Sequence, residues 1–288
     1  MRGREQGTAA ALVVLALAFV YTPVVSSLVR QWATDENYSH GFLVAPFALF
    51  IVWKSRGALR ALPARPHPAG LAVVVLGVLL LTVGQFGAEL FLSRVSLLVV
   101  VAGSVLYLWG PAHLRQAAFA LVLLLLVIPL PTLILNRVSF PLQLLASRTA
   151  ETALSAAGVP VLREGNVLVL PHATLEVAQA CSGIRSLASL IALGLIVGHL
   201  TPGATPRRAA VLVALAIPIA VLANAFRVAG TGLAAAWLGP WVAEGFFHAF
   251  SGWLMFVVAL AALFACARAI DLVSTRRSWL LAPRSLPS

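Results

Sequence analysis

Acidic residues are scarce in this chain: nine Asp and Glu stand among 288 residues, against 20 Lys and Arg. Charged residues of both signs make up 10% of it, while 61% is hydrophobic. A globular domain in water carries roughly a quarter charged residues, so this shortage excludes one. Cysteine is scarcer still, at two residues. That excludes a disulfide framework, and neither CxxC nor HExxH occurs, so no metal site and no cofactor is expected. Regular alternation of apolar and polar residues over segments of about ten is also lacking, which excludes a transmembrane β-barrel. The net charge of +11 does not point to nucleic acid, because the basic residues are scattered through short loops.

What is present is a series of apolar runs. Eight fit membrane spans: Ala9–Leu28, Gly41–Trp53, Gly70–Phe86, Leu90–Trp109, Ala117–Leu130, Ser182–Leu200, Ala209–Phe226 and Phe250–Ile270. The expected fold is an all-α polytopic membrane protein in the lipid bilayer, residues 1–288 forming a single integral membrane domain. The first run is long enough to span and is read as retained. Thirteen Lys and Arg fall on one side of the spans with Glu5 and Asp271; seven Arg fall on the other side with seven acids. Lys and Arg in loops mark the cytoplasm, so both termini are expected inside. Cys266 lies eighteen residues beyond His248. That is about 27 Å of helix, so Cys181 and Cys266 are expected at opposite faces, out of disulfide reach.

Three outer stretches carry polar groups. The loop Trp32 to Gly41 places His40 where the second span begins, at the depth expected for Cys181; it is either a capping residue or part of a site. Residues 131–180 are the largest extramembrane piece. Thr132 to Ala157 suits an amphipathic interfacial helix broken near Pro141. Short β-rich runs around Glu164-Gly165-Asn166 and Pro171 read as a small hairpin or meander, either a structural lid or an edge for an extended substrate strand. This piece leads into Gln179-Ala180-Cys181-Ser182-Gly183-Ile184-Arg185-Ser186-Leu187.

Polar groups at the mouth of a membrane helix are expensive and are functional candidates for that reason. A thiolate is favoured near cations and at helix N-termini, and Cys181 is expected to begin the sixth helix with Arg185 one turn below. Arg227 is expected to end the seventh span and His248 to open the eighth, both at the same face. Taken singly, each has a plain reading: a small buried thiol, a snorkelling arginine, an aromatic-belt histidine. Three such residues at one depth favour a site.

The stretches Tyr38-Ser39-His40-Gly41, Arg163-Glu164-Gly165, Ala180 to Leu187, Asn224-Ala225-Phe226-Arg227-Val228 and Phe247 to Trp253 resemble the exosortases, transpeptidase-like enzymes of the bacterial inner membrane. The resemblance runs from about Trp32 to Phe256. It implies a triad of Cys181, Arg227 and His248 at the periplasmic face. His40, Ser182, Arg185 and Asn224 are candidates for substrate contact or support. It further implies cleavage of the C-terminal tripartite tails of exported proteins, of the PEP-CTERM type, and transfer to an acceptor the sequence does not name. Gln179 stands where many members carry an acid. The rival class is a transporter or lipid-handling protein, which would want polar residues at mid-depth in several spans.

Overall fold

The structure is a computed structural model that describes residues 2–171, 173–177, 183–201, 205–243 and 245–281. It is mostly helical and divides into two compact units, residues 1–135 and 136–288. The first unit holds α1 (Arg2–Thr34), α2 (Gly41–Lys54), α3 (Arg56–Ala61), α4 (Ala69–Phe86), α5 (Leu90–Leu108) and α6 (Pro111–Leu126). α7 (Thr132–Ala156) carries the division in its first turn. The second unit continues with β1 (Leu162–Glu164), β2 (Val167–Leu170), β3 (Ala173–Glu176), α8 (Ile184–Leu200), α9 (Pro206–Leu238), a 3-10 turn (Pro240–Ala243) and α10 (Gly245–Leu281).

Within α1, α4, α5, α9 and α10 lie five stretches long and apolar enough to cross a membrane: Gly7–Thr34, Ala69–Phe86, Leu90–Leu108, Pro206–Leu238 and Phe250–Leu272. α2, α6 and α8 are apolar but shorter. Their outward surfaces are those of a lipid-facing bundle. Phe19, Phe86 and Leu43 are 86%, 90% and 71% exposed, which in water would be a large unsatisfied apolar surface.

In the first unit α4 and α5 form a close antiparallel pair. Gly70, Gly77 and Gly84 recur every seven residues along α4, and a Cβ at any of them would press into α5 at Tyr107, Val100 or Ser93. Small residues at such spacing let two helix backbones approach in lipid, where dispersion and not water exclusion holds helices together. α1 is tied to α5 by polar groups. The Tyr21 and Ser96 hydroxyls lie 3.1 Å apart, and Arg94 donates to Gln31 Oε1 at 2.6 Å and Ser27 Oγ at 3.3 Å. The Trp32 indole donates to the Val127 carbonyl at 2.9 Å, and the Leu130 amide donates to the Tyr38 hydroxyl at 3.0 Å. These bonds hold the loop between α1 and α2 against the end of α6.

In the second unit the three strands form an antiparallel meander in the order β1-β2-β3. The β1–β2 turn is Gly165-Asn166. Gly165 has φ +65°, the left-handed value that favours glycine at the first central position of a two-residue hairpin. α7 supports this sheet: Ser147 Oγ donates to the Gly165 carbonyl at 3.0 Å, and Arg163 pairs with Glu151 at 2.7 Å. Leu168, Leu170 and Val177 bury against Ala146, Ala150 and Leu154 of α7 and Val228 and Ala229 of α9. A second core of Leu190, Leu212, Ala216, Ala220, Ala259, Leu263 and Ala267 joins α8, α9 and α10. At the far end of that bundle, buried Arg208 bridges Thr201 and Asp271, the latter at 2.9 Å.

Several expected boundaries move. α7 runs through Pro141 without a break in the assigned helix. A proline removes one amide from the ladder, and the buried face at Ser139, Gln143, Ala146, Ala150 and Leu154 keeps its helical spacing on both sides. α9 does not stop at Phe226 but continues to Leu238. Val228 to Leu238 is alanine-rich and buries Val228, Ala229 and Ala235, so packing extends the helix past the polar pair Asn224 and Arg227. α8 begins at Ile184 after Gly183, and Ser182, its expected start, lies outside the described residues.

Candidate active site

α9 is the central element. Asn224 and Arg227 lie three residues apart near its middle, so they share one side of the helix. Asn224 is 6% exposed and meets the start of α8. There Gly183 caps the helix with φ +77°, and a Cβ on it would stand 2.9 Å from the Asn224 Cβ. Only glycine accepts both the left-handed backbone and this contact without strain. The stretch that carries Cys181 is therefore joined to α8 through a residue fixed against Asn224. Cys181 and Ser182 themselves lie outside the described residues.

Arg227 is half-buried and reaches α10. Its Nε donates to the Ser251 hydroxyl at 3.4 Å, a long bond. A Cβ built on Gly252 would lie 3.4 Å from the guanidinium carbon and from one terminal nitrogen. The absent side chain leaves room for the flat cation against the α10 backbone. His248 belongs to the first turn of α10, three residues before Ser251. Arg185 is the second residue of α8 and is half-buried there.

The structure thus brings the Gly183 end of α8, Asn224 and Arg227 of α9, and Ser251 and Gly252 of α10 into one neighbourhood. Arg227 does not terminate a helix, as the apolar run Ala209–Phe226 suggested, but projects from the interior of one. Ser251 and Gly252 fall within the stretch Phe247 to Trp253 but carry no candidate role in the sequence reading. Their signal was a hydroxyl and a gap within one turn of His248 on an apolar helix.

His40 belongs to the first unit. It precedes α2, and both ring nitrogens are buried without a well-formed hydrogen bond. Burial pushes its pKa below the usual imidazole range, outweighing the nearby carbonyls of Leu126 and Asn37, which favour the charged ring.

A bundle of apolar helices carrying a clustered arginine, amide and hydroxyl beside Gly183, which follows Cys181 and Ser182 in sequence, defines a membrane protein with a candidate enzymatic site. The profile of the transmembrane exosortase family (Exosortase_EpsH) matches residues 32–265, and the chain belongs to that family. No curated protein and no solved structure matches it significantly.

Proposed function

We propose that the protein is a membrane cysteine transpeptidase that cleaves the C-terminal sorting tail of exported proteins and passes them to an acceptor. Cys181 is the nucleophile. Its thiolate attacks the scissile carbonyl; the carbon–nitrogen bond breaks, and a thioester and a free amine result. His248 takes the thiol proton and returns it to the leaving amine. Arg227 stabilises the charge that develops on the carbonyl oxygen. An acceptor amine, or water, then attacks the thioester and releases Cys181. No cofactor is needed for this balance.

The observation that carries the reading is the double attachment of the α9 segment Asn224 to Arg227. Asn224 contacts the residue that follows Ser182, and Arg227 contacts the residue one turn beyond His248. Two segments distant in sequence, each bearing one reactive side chain, meet the same stretch of one helix. Family membership supports the substrate class: a short recognition motif of the Pro-Glu-Pro type, one membrane helix and a basic cluster. In this reading the protein resides in a bacterial inner membrane with both termini in the cytoplasm and the site at the periplasmic face.

Replacement of the nucleophile tests it. Cys181→Ala should accumulate in the membrane at the wild-type level and leave the tail uncut. Cys181→Ser should be nearly as inactive, because a hydroxyl ionises far less readily than a thiol. Cys266→Ala should process normally. Tail cleavage followed by immunoblot and mass spectrometry gives the reading; processing by Cys181→Ala at a rate near wild type would refute covalent catalysis by this thiol.

A further inference from the structure

We infer that the outer edge of β3 is a docking edge for the extended backbone of the peptide substrate, through the main-chain groups of Thr174 and Glu176. This rests on the reading of Cys181 as nucleophile only for where the bound peptide leads. The edge itself follows from the register.

β2 and β3 pair Val167 with Glu176, Leu168 with Leu175 and Val169 with Thr174. The Val177 amide donates to the Asn166 carbonyl at 2.8 Å, just beyond the Val167–Glu176 pair. In an antiparallel ladder, hydrogen-bonded and non-bonded pairs alternate. Val167–Glu176 is therefore a non-bonded pair, and Leu168 with Leu175 exchange their bonds. It follows that the N–H and C=O of Leu175 point into the sheet, whereas those of Thr174 and Glu176 point away from it. Both residues are exposed, and among the described residues nothing pairs with that edge.

At the opposite edge α7 touches the β1–β2 turn through Ser147 on the Gly165 carbonyl and the Arg163 side chain through Glu151. Among the described residues the outward main-chain groups of Thr174 and Glu176 meet no partner, and no lysine, proline or bulge blunts the strand. Such groups are matched by one kind of occupant, an extended peptide that adds a strand. Placement argues for substrate over any other strand. Glu176 precedes Cys181 by five residues, so at about 3.3 Å each the chain covers at most roughly 17 Å between edge and thiol. One face of β3 is already fixed by Leu175 and Val177 on the α7–α9 core, which makes the edge rigid without a ligand.

A strand added here has a signature of period two. The probe is a synthetic peptide comprising the extended segment and membrane helix of a Pro-Glu-Pro tail, bound to full-length Cys181→Ala protein in lipid nanodiscs. N-methylation at successive peptide positions should weaken binding roughly three- to tenfold at alternate residues and leave those between unchanged. Thr174→Pro removes an outward N–H and no β2–β3 bond, and should weaken the unmodified peptide by a similar factor. Glu176→Pro does the same two pairs further along, in case position 174 tolerates proline poorly. Uniform tolerance of N-methylation, or loss with no alternation, would overturn the inference. So would a Thr174→Pro variant that binds peptide normally but loses a crosslinked dimer, because the edge would then belong to a second copy. If Cys181→Ala cleaves the tail, the catalytic reading fails, while the binding scan still decides the edge.

Discussion

The proposed electrostatic role has two candidate arginines, and their surroundings separate them. Arg227 is held by Ser251 and faces the bare backbone at Gly252, whereas Arg185 sits in the opening turn of α8. Arg227→Ala should lose about 10²–10³ in cleavage rate, the usual cost of one oxyanion donor. Arg227→Lys should recover little, since a lysine lacks the planar fork. Arg185→Ala should keep more activity at equal membrane levels; the reverse ranking in a cleavage assay would move the role to Arg185. His40 gives a pH prediction. Its folded pKa is depressed below the ordinary value near 6.5, so the unfolded chain binds the extra proton first as pH falls. Stability should therefore be full above about pH 6.5 and decline toward pH 5. Thermal unfolding of detergent-solubilised protein should show that decline, and His40→Gln should flatten it. An unchanged slope in the variant would assign the acid sensitivity elsewhere.

At the scale of elements, the α4–α5 pair depends on glycine for closeness. A Cβ at Gly70 would meet backbone atoms of Tyr107 and Gly103, which cannot turn aside as a side chain can. Gly70→Ala should cost at least the 1–3 kcal/mol typical of overpacking. Gly57→Ala on α3 meets nothing within 4 Å and should be neutral or slightly stabilising through helix propensity. A detergent melting experiment on both variants distinguishes contact from propensity. The seven-residue recurrence of Gly70, Gly77 and Gly84 could be read from the sequence; the partner helix could not. Hydropathy also hid the polar ties. Tyr21, Ser96 and Arg94 look like isolated interruptions in apolar runs until α1 and α5 are side by side.

For the whole molecule, the distribution of Lys and Arg sets the expected orientation. It places Gly165 outside and Arg207 inside. Single cysteines at these positions, in a chain whose own cysteines are replaced, should react with an impermeant maleimide in intact spheroplasts at 165 and not at 207. The opposite pattern would invert the orientation and remove the periplasmic site. The bundle of α8, α9 and α10 has its polar clamp at the other end from Arg227, where Arg208 joins Thr201 and Asp271 nineteen residues earlier on α9. Loss of Asp271 would leave a buried guanidinium short of its carboxylate, which sets this end apart as structural.

Composition alone determined that the chain is a helical membrane protein, because the cost of placing backbone and charge in lipid admits few alternatives. Local pattern located the five stretches long and apolar enough to cross a membrane and the three shorter apolar helices, since these depend on neighbours in sequence. Arg227 was legible only as a polar residue beside an apolar run, since α9 continues eleven residues beyond it. Tertiary structure decided what spacing cannot contain. α9 outruns its expected end because its alanines pack against α7 and the sheet. Gly183 is fixed by contact with Asn224, forty-one residues away, and Ser251 becomes a partner of Arg227 only when α10 folds back along α9. The packing of Leu175 and Val177 of the sheet against α7 and α9 is likewise a choice that no local preference encodes.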